Sequence, residues 1–151
     1  MKIAIFPGSF DPITRGHENI ALKAATMFDT LYVAIGENLE KKSMFSSNQR
    51  LTWLQKTFVN YPNIQCITYT GLTIDFCKKN NINFIIRGLR TTNDFENELA
   101  IAHANKQLYP TIETVFLICD IPYLHISSSI VREIIKNKGN VRNFIPKRIE
   151  I

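Results

Sequence analysis

Four short stretches of the chain carry side chains suited to handling an anion. PGSFDPITRGH, residues 7–17, packs two prolines, two glycines, Ser9 and His17 directly behind an apolar run. A lysine pair follows at Lys41 and Lys42, two arginines bracket Gly88 and Leu89 in RGLRTTNDFENE from Arg87, and HISSSIVREI from His125 holds three consecutive serines. Guanidinium, ammonium, imidazole and helix N-terminal N–H groups together bind phosphate and stabilise charge that develops on it. They are the equipment of positioning and electrostatics, without the paired carboxylates or the Ser-His-Asp set that acid–base or covalent catalysis needs.

Each stretch also has a plain structural reading. Thr14 can cap a helix, with Ser9 and Asp11 in turn bonds and His17 on the surface. Lys41 and Lys42 can belong to a solvated loop, Thr73 to a helix cap, and Arg87 and Arg90 to ion pairs with Asp94, Glu96 and Glu98. An ordinary N-cap needs one serine of Ser127, Ser128 and Ser129. His125 and His103 read as lone, partly exposed histidines.

What must position these groups follows from periodicity. Apolar and β-branched runs at 2–6, 31–36, 64–70, 82–87 and 114–119 read as strands, and a sixth near 145–151 is too weak to count. Ile20, Ala21, Ala24 and Phe28 recur at helical spacing after His17, and Leu51, Leu54 and Phe58 do so further on. Ser46 with Gln49 forms a capping-box start, Thr92 or Asn93 caps a long helix from about 94 to 108, and Pro110 stops it. Strand and helix alternate throughout, and most strands lack polar alternation. The expectation is an α/β fold, a Rossmann-like doubly wound five-stranded parallel sheet with helices on both faces, in one domain spanning 1–151. Such sheets bind ligands beyond the carboxyl ends of their strands, where all four stretches fall.

Composition narrows the class. Apolar residues make up 45% and no stretch approaches the ~20 apolar residues of a membrane span. The N-terminus lacks the basic region and cleavage site of a secretory signal, so a cytoplasmic protein is expected. Cys66, Cys77 and Cys119 are odd in number and widely spaced, which suits reduced core residues better than a disulfide framework or a zinc site. The formal charge of +5 contains no run of five or six basic residues, so it argues against a basic tail.

TRGH at 14–17, preceded by PGSFDP, resembles the (T/H)-x-G-H signature of the nucleotidyltransferase superfamily. KKSMF at 41–45, IRGLRTTNDFENE at 86–98 and ISSSIVREI at 126–134 are similar to blocks of the bacterial phosphopantetheine adenylyltransferases, in matching order over essentially the whole chain. The resemblance implies transfer of the adenylyl group of ATP to 4'-phosphopantetheine, giving dephospho-coenzyme A and pyrophosphate, with Mg2+ carried on the ATP phosphates. By position it implies catalytic roles for His17, Lys41 and Arg90, and substrate contacts from Ser9, Lys41, Thr73 and Arg87. It places ATP against Ser9, Phe10, His17, Gly88, Leu89, Arg90, Glu98, Tyr123, Leu124, His125, Ile126, Ser127, Ser128 and Ser129. It also implies a homohexamer, and it raises coenzyme A as a feedback ligand; no nucleic acid or membrane partner follows from it. Three positions depart from the family pattern: Ser43 stands for a usual proline, and Asn97 and His125 stand where aromatic residues are common.

The implied nucleophile is a phosphate monoester, mostly a dianion near pH 7 because its second pKa is about 6. It needs no general base and leaves no covalent intermediate. Related nucleotidyltransferases, of the nicotinamide mononucleotide adenylyltransferase or glycerol-3-phosphate cytidylyltransferase type, share the x-G-H start. The first favours I-S-x-T-x-I-R, which ISSSIVR only partly imitates, and the second usually carries R-T-E-G-I-S-T-T, absent here. A non-catalytic nucleotide or RNA-binding module also suits the charge, but the contiguous basic face interleaved with exposed aromatics is missing.

Overall fold

The computed structural model describes residues 1–151 in full. Strand and helix alternate as β1 (Ile3–Gly8), α1 (Arg15–Ala25), β2 (Thr30–Glu37), α2 (Ser47–Thr57), β3 (Ile64–Thr70), α3 (Thr73–Lys79), β4 (Phe84–Leu89), α4 (Thr92–Leu108), β5 (Glu113–Ile118) and α5 (Ser128–Lys136), with a 3-10 turn at Ile121–Tyr123. The strands form one sheet in the order β3-β2-β1-β4-β5, parallel at every pairing. Chain order reverses between β1 and β4, so the crevice of a doubly wound sheet opens beyond their carboxyl ends.

The pleat of β1 sends Ala4 and Phe6 into one core and Ile5 into another. The first core gathers Leu31, Val33, Ile35 and Ile86 of the sheet under Ile20, Ala21 and Ala24 of α1, Trp53 and Leu54 of α2, and Val131 of α5. The second packs Ala34 and Ile85 against Ile74 and Cys77 of α3. Central strands are covered on both faces, which is why their sequences show no polar alternation. Burying one such aliphatic side chain contributes roughly 1.5–3 kcal/mol.

Several local expectations are corrected. α4 is capped by Thr91, whose hydroxyl accepts from the Asp94 N–H while the Asp94 carboxylate reaches back to the Thr91 N–H. That reciprocal box outcompetes Thr92 or Asn93. The N-cap of α3 is Leu72, without a side-chain cap, because the Thr73 hydroxyl pairs with the Tyr69 hydroxyl at 2.7 Å instead. The weak apolar run near the C-terminus is irregular chain that sends Ile145 and Ile149 into the first core. α4 contributes no buried residue, and β5 beneath it is only half-buried. The sheet is therefore less completely covered at this edge than the alternation of elements suggests. No helix is long and apolar enough to cross a membrane.

Candidate active site

The cleft at the switch point is lined by the end of β1, the first turn of α1, the end of β4, the start of α4 and the loop entering α5. From the expected set it brings together Ser9, Phe10, His17, Arg87, Gly88, Arg90, Glu98, Ile126, Ser127 and Ser128.

His17 is placed by its own helix. It is the third residue of α1, and its Nδ1 accepts from the Thr14 N–H at 3.0 Å while the Thr14 hydroxyl accepts from the His17 N–H. The imidazole thus takes the place of the acidic partner in a capping box. With Nδ1 used as acceptor, the neutral ring carries its proton on Nε2. Burial lowers the His17 pKa to about 4, and the nearby Arg90 and Arg87 guanidiniums push the same way. The ring is therefore a neutral donor near pH 7. Phe10, buried and at φ 46, lies edge-on to it with centroids 5.0 Å apart. Gly8 makes that seat available: a Cβ there would come within 3.0 Å of the Phe10 ring.

Both arginines of RGLR are held by carboxylates of α4. Arg87 forks onto Glu98, Nε to Oε2 at 2.7 Å and Nη2 to Oε1 at 2.5 Å, while its Nη1 donates to the Pro7 carbonyl at 2.9 Å. Nη1 and Nη2 each keep one further N–H. Arg90 donates from Nη1 to the Ile126 carbonyl at 2.7 Å, and its Nε lies 3.9 Å from Asp94. The ion pairs and the cationic cleft coexist, because a guanidinium has five N–H groups to share. Gly88 between them is required by packing: a Cβ would meet Ile20 Cγ1 at 2.9 Å, where α1 crosses β4.

The serine run is divided. Ser127 caps α5 by accepting from the Ile130 N–H, Ser128 donates to the Pro12 carbonyl at 2.8 Å, and Ser129 accepts from Arg132. The first-turn N–H groups of Ser128 and Ser129 have no helix carbonyl to bond, and Ser127 and Ser128 line the cleft. The loop leading there is tied to α1, since Asp120 accepts from Lys23 at 2.5 Å and Asn19 at 2.7 Å.

Other expected residues lie outside the cleft. Lys41 is exposed and lines a neighbouring depression with Glu37, Ser43 and Ser46. It does not join the residues that line the cleft, because the loop between β2 and α2 forms a separate depression. Thr73 is half-buried with its hydroxyl spent on Tyr69. Leu89 and Tyr123 are half-buried beside the cleft, and Leu124, His125 and Ser129 face outward.

Two residues absent from the sequence-based set are central to the geometry. Asp11 and Arg50, 6% and 5% exposed, bind the turn after β1 to the segment that precedes α2. Arg50 left a readable trace. With Trp53, Leu54 and Thr57 it occupies the i, i+3, i+4, i+7 stripe that α2 buries, a charged residue where an apolar one is expected. Asp11 left none, since an acidic residue in a turn is ordinary.

Comparisons with known proteins find likeness along nearly the whole chain. Residues 5–134 match the family described as Cytidylyltransferase-like. Over all 151 residues the chain is 48% identical to the phosphopantetheine adenylyltransferase of Flavobacterium psychrophilum, covering 99% of that protein. It is 46% identical to the protein of the same name from Carboxydothermus hydrogenoformans, covering 93% of it. Among solved structures, a candidate nicotinate-nucleotide adenylyltransferase from Vibrio parahaemolyticus superposes with a TM-score of 0.67 at 16% identity, over 96% of this chain and 94% of that one. That likeness speaks for the fold alone.

Proposed function

This chain belongs to the phosphopantetheine adenylyltransferase family, and on that premise we propose that it transfers the adenylyl group of ATP to 4'-phosphopantetheine. The products are dephospho-coenzyme A and pyrophosphate, in the penultimate step of coenzyme A synthesis, carried out in the cytoplasm. The observation that carries the reading is the neutral His17 between two arginines, with Nδ1 occupied and Nε2 left as donor.

The phosphate monoester attacks the α-phosphorus in line as pyrophosphate departs, and catalysis consists of orienting two anions and stabilising the charge between them. His17 donates to an α-phosphate oxygen, and Lys41 bridges the reacting phosphates from the neighbouring loop. Arg90, with the N–H groups at the start of α5, takes the ATP phosphates. Arg87, steadied by Glu98, takes phosphopantetheine through its remaining N–H groups. Ser9 serves both substrates at the turn, Thr73 lies towards the pantetheine arm, and the segment from Tyr123 to Ser129 flanks the nucleotide.

Magnesium enters with ATP. The ion would be held chiefly by the phosphate oxygens of the nucleotide. When bound, it neutralises part of the triphosphate charge.

We assign assembly into a homohexamer to the exposed side of α4 that carries Phe95 and Leu99. Coenzyme A, which contains the phosphopantetheine arm, is read as a feedback ligand of the same cleft. Pyrophosphate release measured with ATP against 4'-phosphopantetheine, ATP against nicotinamide mononucleotide, and CTP against glycerol 3-phosphate tests the choice. Release with the first pair alone is expected; release only with either other pair overturns the reading.

A further inference from the structure

Met44 and Phe45 are fastened to the turn at residues 9–11 from two sides. The Asp11 carboxylate accepts from the Met44 N–H through Oδ2 at 2.8 Å and from the Phe45 N–H through Oδ1 at 2.9 Å. Arg50 donates from Nε to the Phe45 carbonyl at 3.0 Å and from Nη1 to the Ser9 carbonyl at 2.7 Å. The Phe45 residue is thus gripped at both its N–H and its C=O, while its ring lies edge-on to Trp53 with centroids 4.8 Å apart. On its other side the same turn is tied to α5, by Arg132 to the Asp11 carbonyl and by Ser128 to the Pro12 carbonyl.

Stability alone does not call for these two charges. Desolvating a carboxylate or a guanidinium costs several kcal/mol, and well-packed apolar side chains often serve a core equally well. What the charges accomplish is geometric. One end of the clip holds the turn that feeds Thr14 and His17; the other holds the chain three residues beyond Lys41. Without it, the stretch from Asn38 to Ser46 would be anchored only by β2 and α2. With it, the base of the lysine loop is fixed against the cleft although the ammonium lies outside.

We infer that Asp11 and Arg50 are positioning residues for Lys41, setting its loop against the His17 turn so that the ammonium reaches the reacting phosphates. This rests on the proposed adenylyl transfer. The test is a double-mutant cycle of Asp11→Asn with Lys41→Met, read as kcat and KM for each substrate.

In the native background Asp11→Asn lowers kcat about tenfold or more and leaves the KM for ATP within about twofold, because misplacement of a reacting group acts on the rate. In the Lys41→Met background the same substitution costs less than about twofold, since the ammonium it places is gone. Equal losses in both backgrounds overturn the inference, because a purely structural role multiplies through. Should Asp11→Asn fail to fold, Arg50→Lys is carried through the same cycle. Amide exchange in the unsubstituted protein decides independently. The Met44 and Phe45 amides exchange as slowly as those of the β1 core, and exchange as fast as at Lys41 to Ser43 overturns the clip. A native protein that releases no pyrophosphate sinks the reaction reading; an active one with equal losses sinks the clip alone.

Discussion

His17 shows how one residue can be tuned by the backbone that carries it. The Thr14 N–H holds Nδ1, burial and two guanidiniums oppose protonation, and the single proton on Nε2 is left for a ligand. Removing that donor costs transition-state stabilisation more than binding. His17→Ala is expected to lower kcat at saturating ATP by about 10²–10³-fold, with a smaller change in KM; near-native turnover would rule the role out. The same pKa makes a stability prediction. His17 is held at about 4 in the folded protein against 6.5 for the free side chain. As pH falls between those values the unfolded chain takes up a proton that the folded chain refuses. Its contribution is therefore present above 6.5 and lost as pH falls through about 4. Thermal melts of the ligand-free protein and of His17→Gln across that range should show the native Tm advantage shrinking towards acid. An advantage that grows would mean a raised pKa and a cationic ring.

At the scale of elements, β4 and α4 form a paired device in which two arginines three positions apart, at and just beyond a strand end, meet two carboxylates one turn apart on a helix. Lysine keeps the charge at either position but loses the Arg87 fork onto Glu98 and the Arg90 bond to the Ile126 carbonyl. Arg87→Lys is expected to raise KM mainly for phosphopantetheine, and Arg90→Lys mainly for ATP, each by about tenfold, or about 1.4 kcal/mol. Steady-state kinetics in which both variants raise the same KM would refute the division. Gly88 ties this device to His17, because its missing side chain lets Ile20 of α1 pack directly on β4. Gly88→Ala should cost about 1–3 kcal/mol through overpacking and reduce kcat by tilting α1, seen together in denaturant titration and turnover. The five strands were legible because central parallel strands carry their burial as continuous apolar runs. The start of α1 and the RGLR stretch were legible because glycine turns and permanent cations stand out beside such runs. The α4 cap was misplaced because Thr91, Thr92 and Asn93 are all competent caps and only the reciprocal Asp94 bond decides. The clip of Asp11 and Arg50 was not legible as a pair, since its bonds join residues more than 30 positions apart.

For the molecule as a whole, the uneven cover of the sheet is the feature with most consequence. The α1, α2 and α5 side is sealed by a single large core, whereas α4 buries nothing and exposes Phe95, Leu99, Ile101 and Leu108. Ile118, which ends β5, is 73% exposed, and Ile121 just beyond it is 83% exposed. Scattered exposed leucines need no explanation, but a helix without one buried residue on a half-buried edge strand is a face awaiting cover. Glu98 and Asp94 leave the same helix towards the cleft, so a partner on its apolar face would also stiffen the arginine pair. Placing a charge at that face should therefore alter assembly and catalysis together. Phe95→Glu and Leu99→Glu, one turn apart on the same side of α4, are expected to reduce the mass measured by light scattering from a multiple of the chain to that of one chain, and to raise the KM values governed by Arg87 and Arg90. Reversion of both effects at high protein concentration would identify the assembly as their common cause. A single-chain mass for the native protein, or a multimer indifferent to both glutamates, would show that α4 is not the interface.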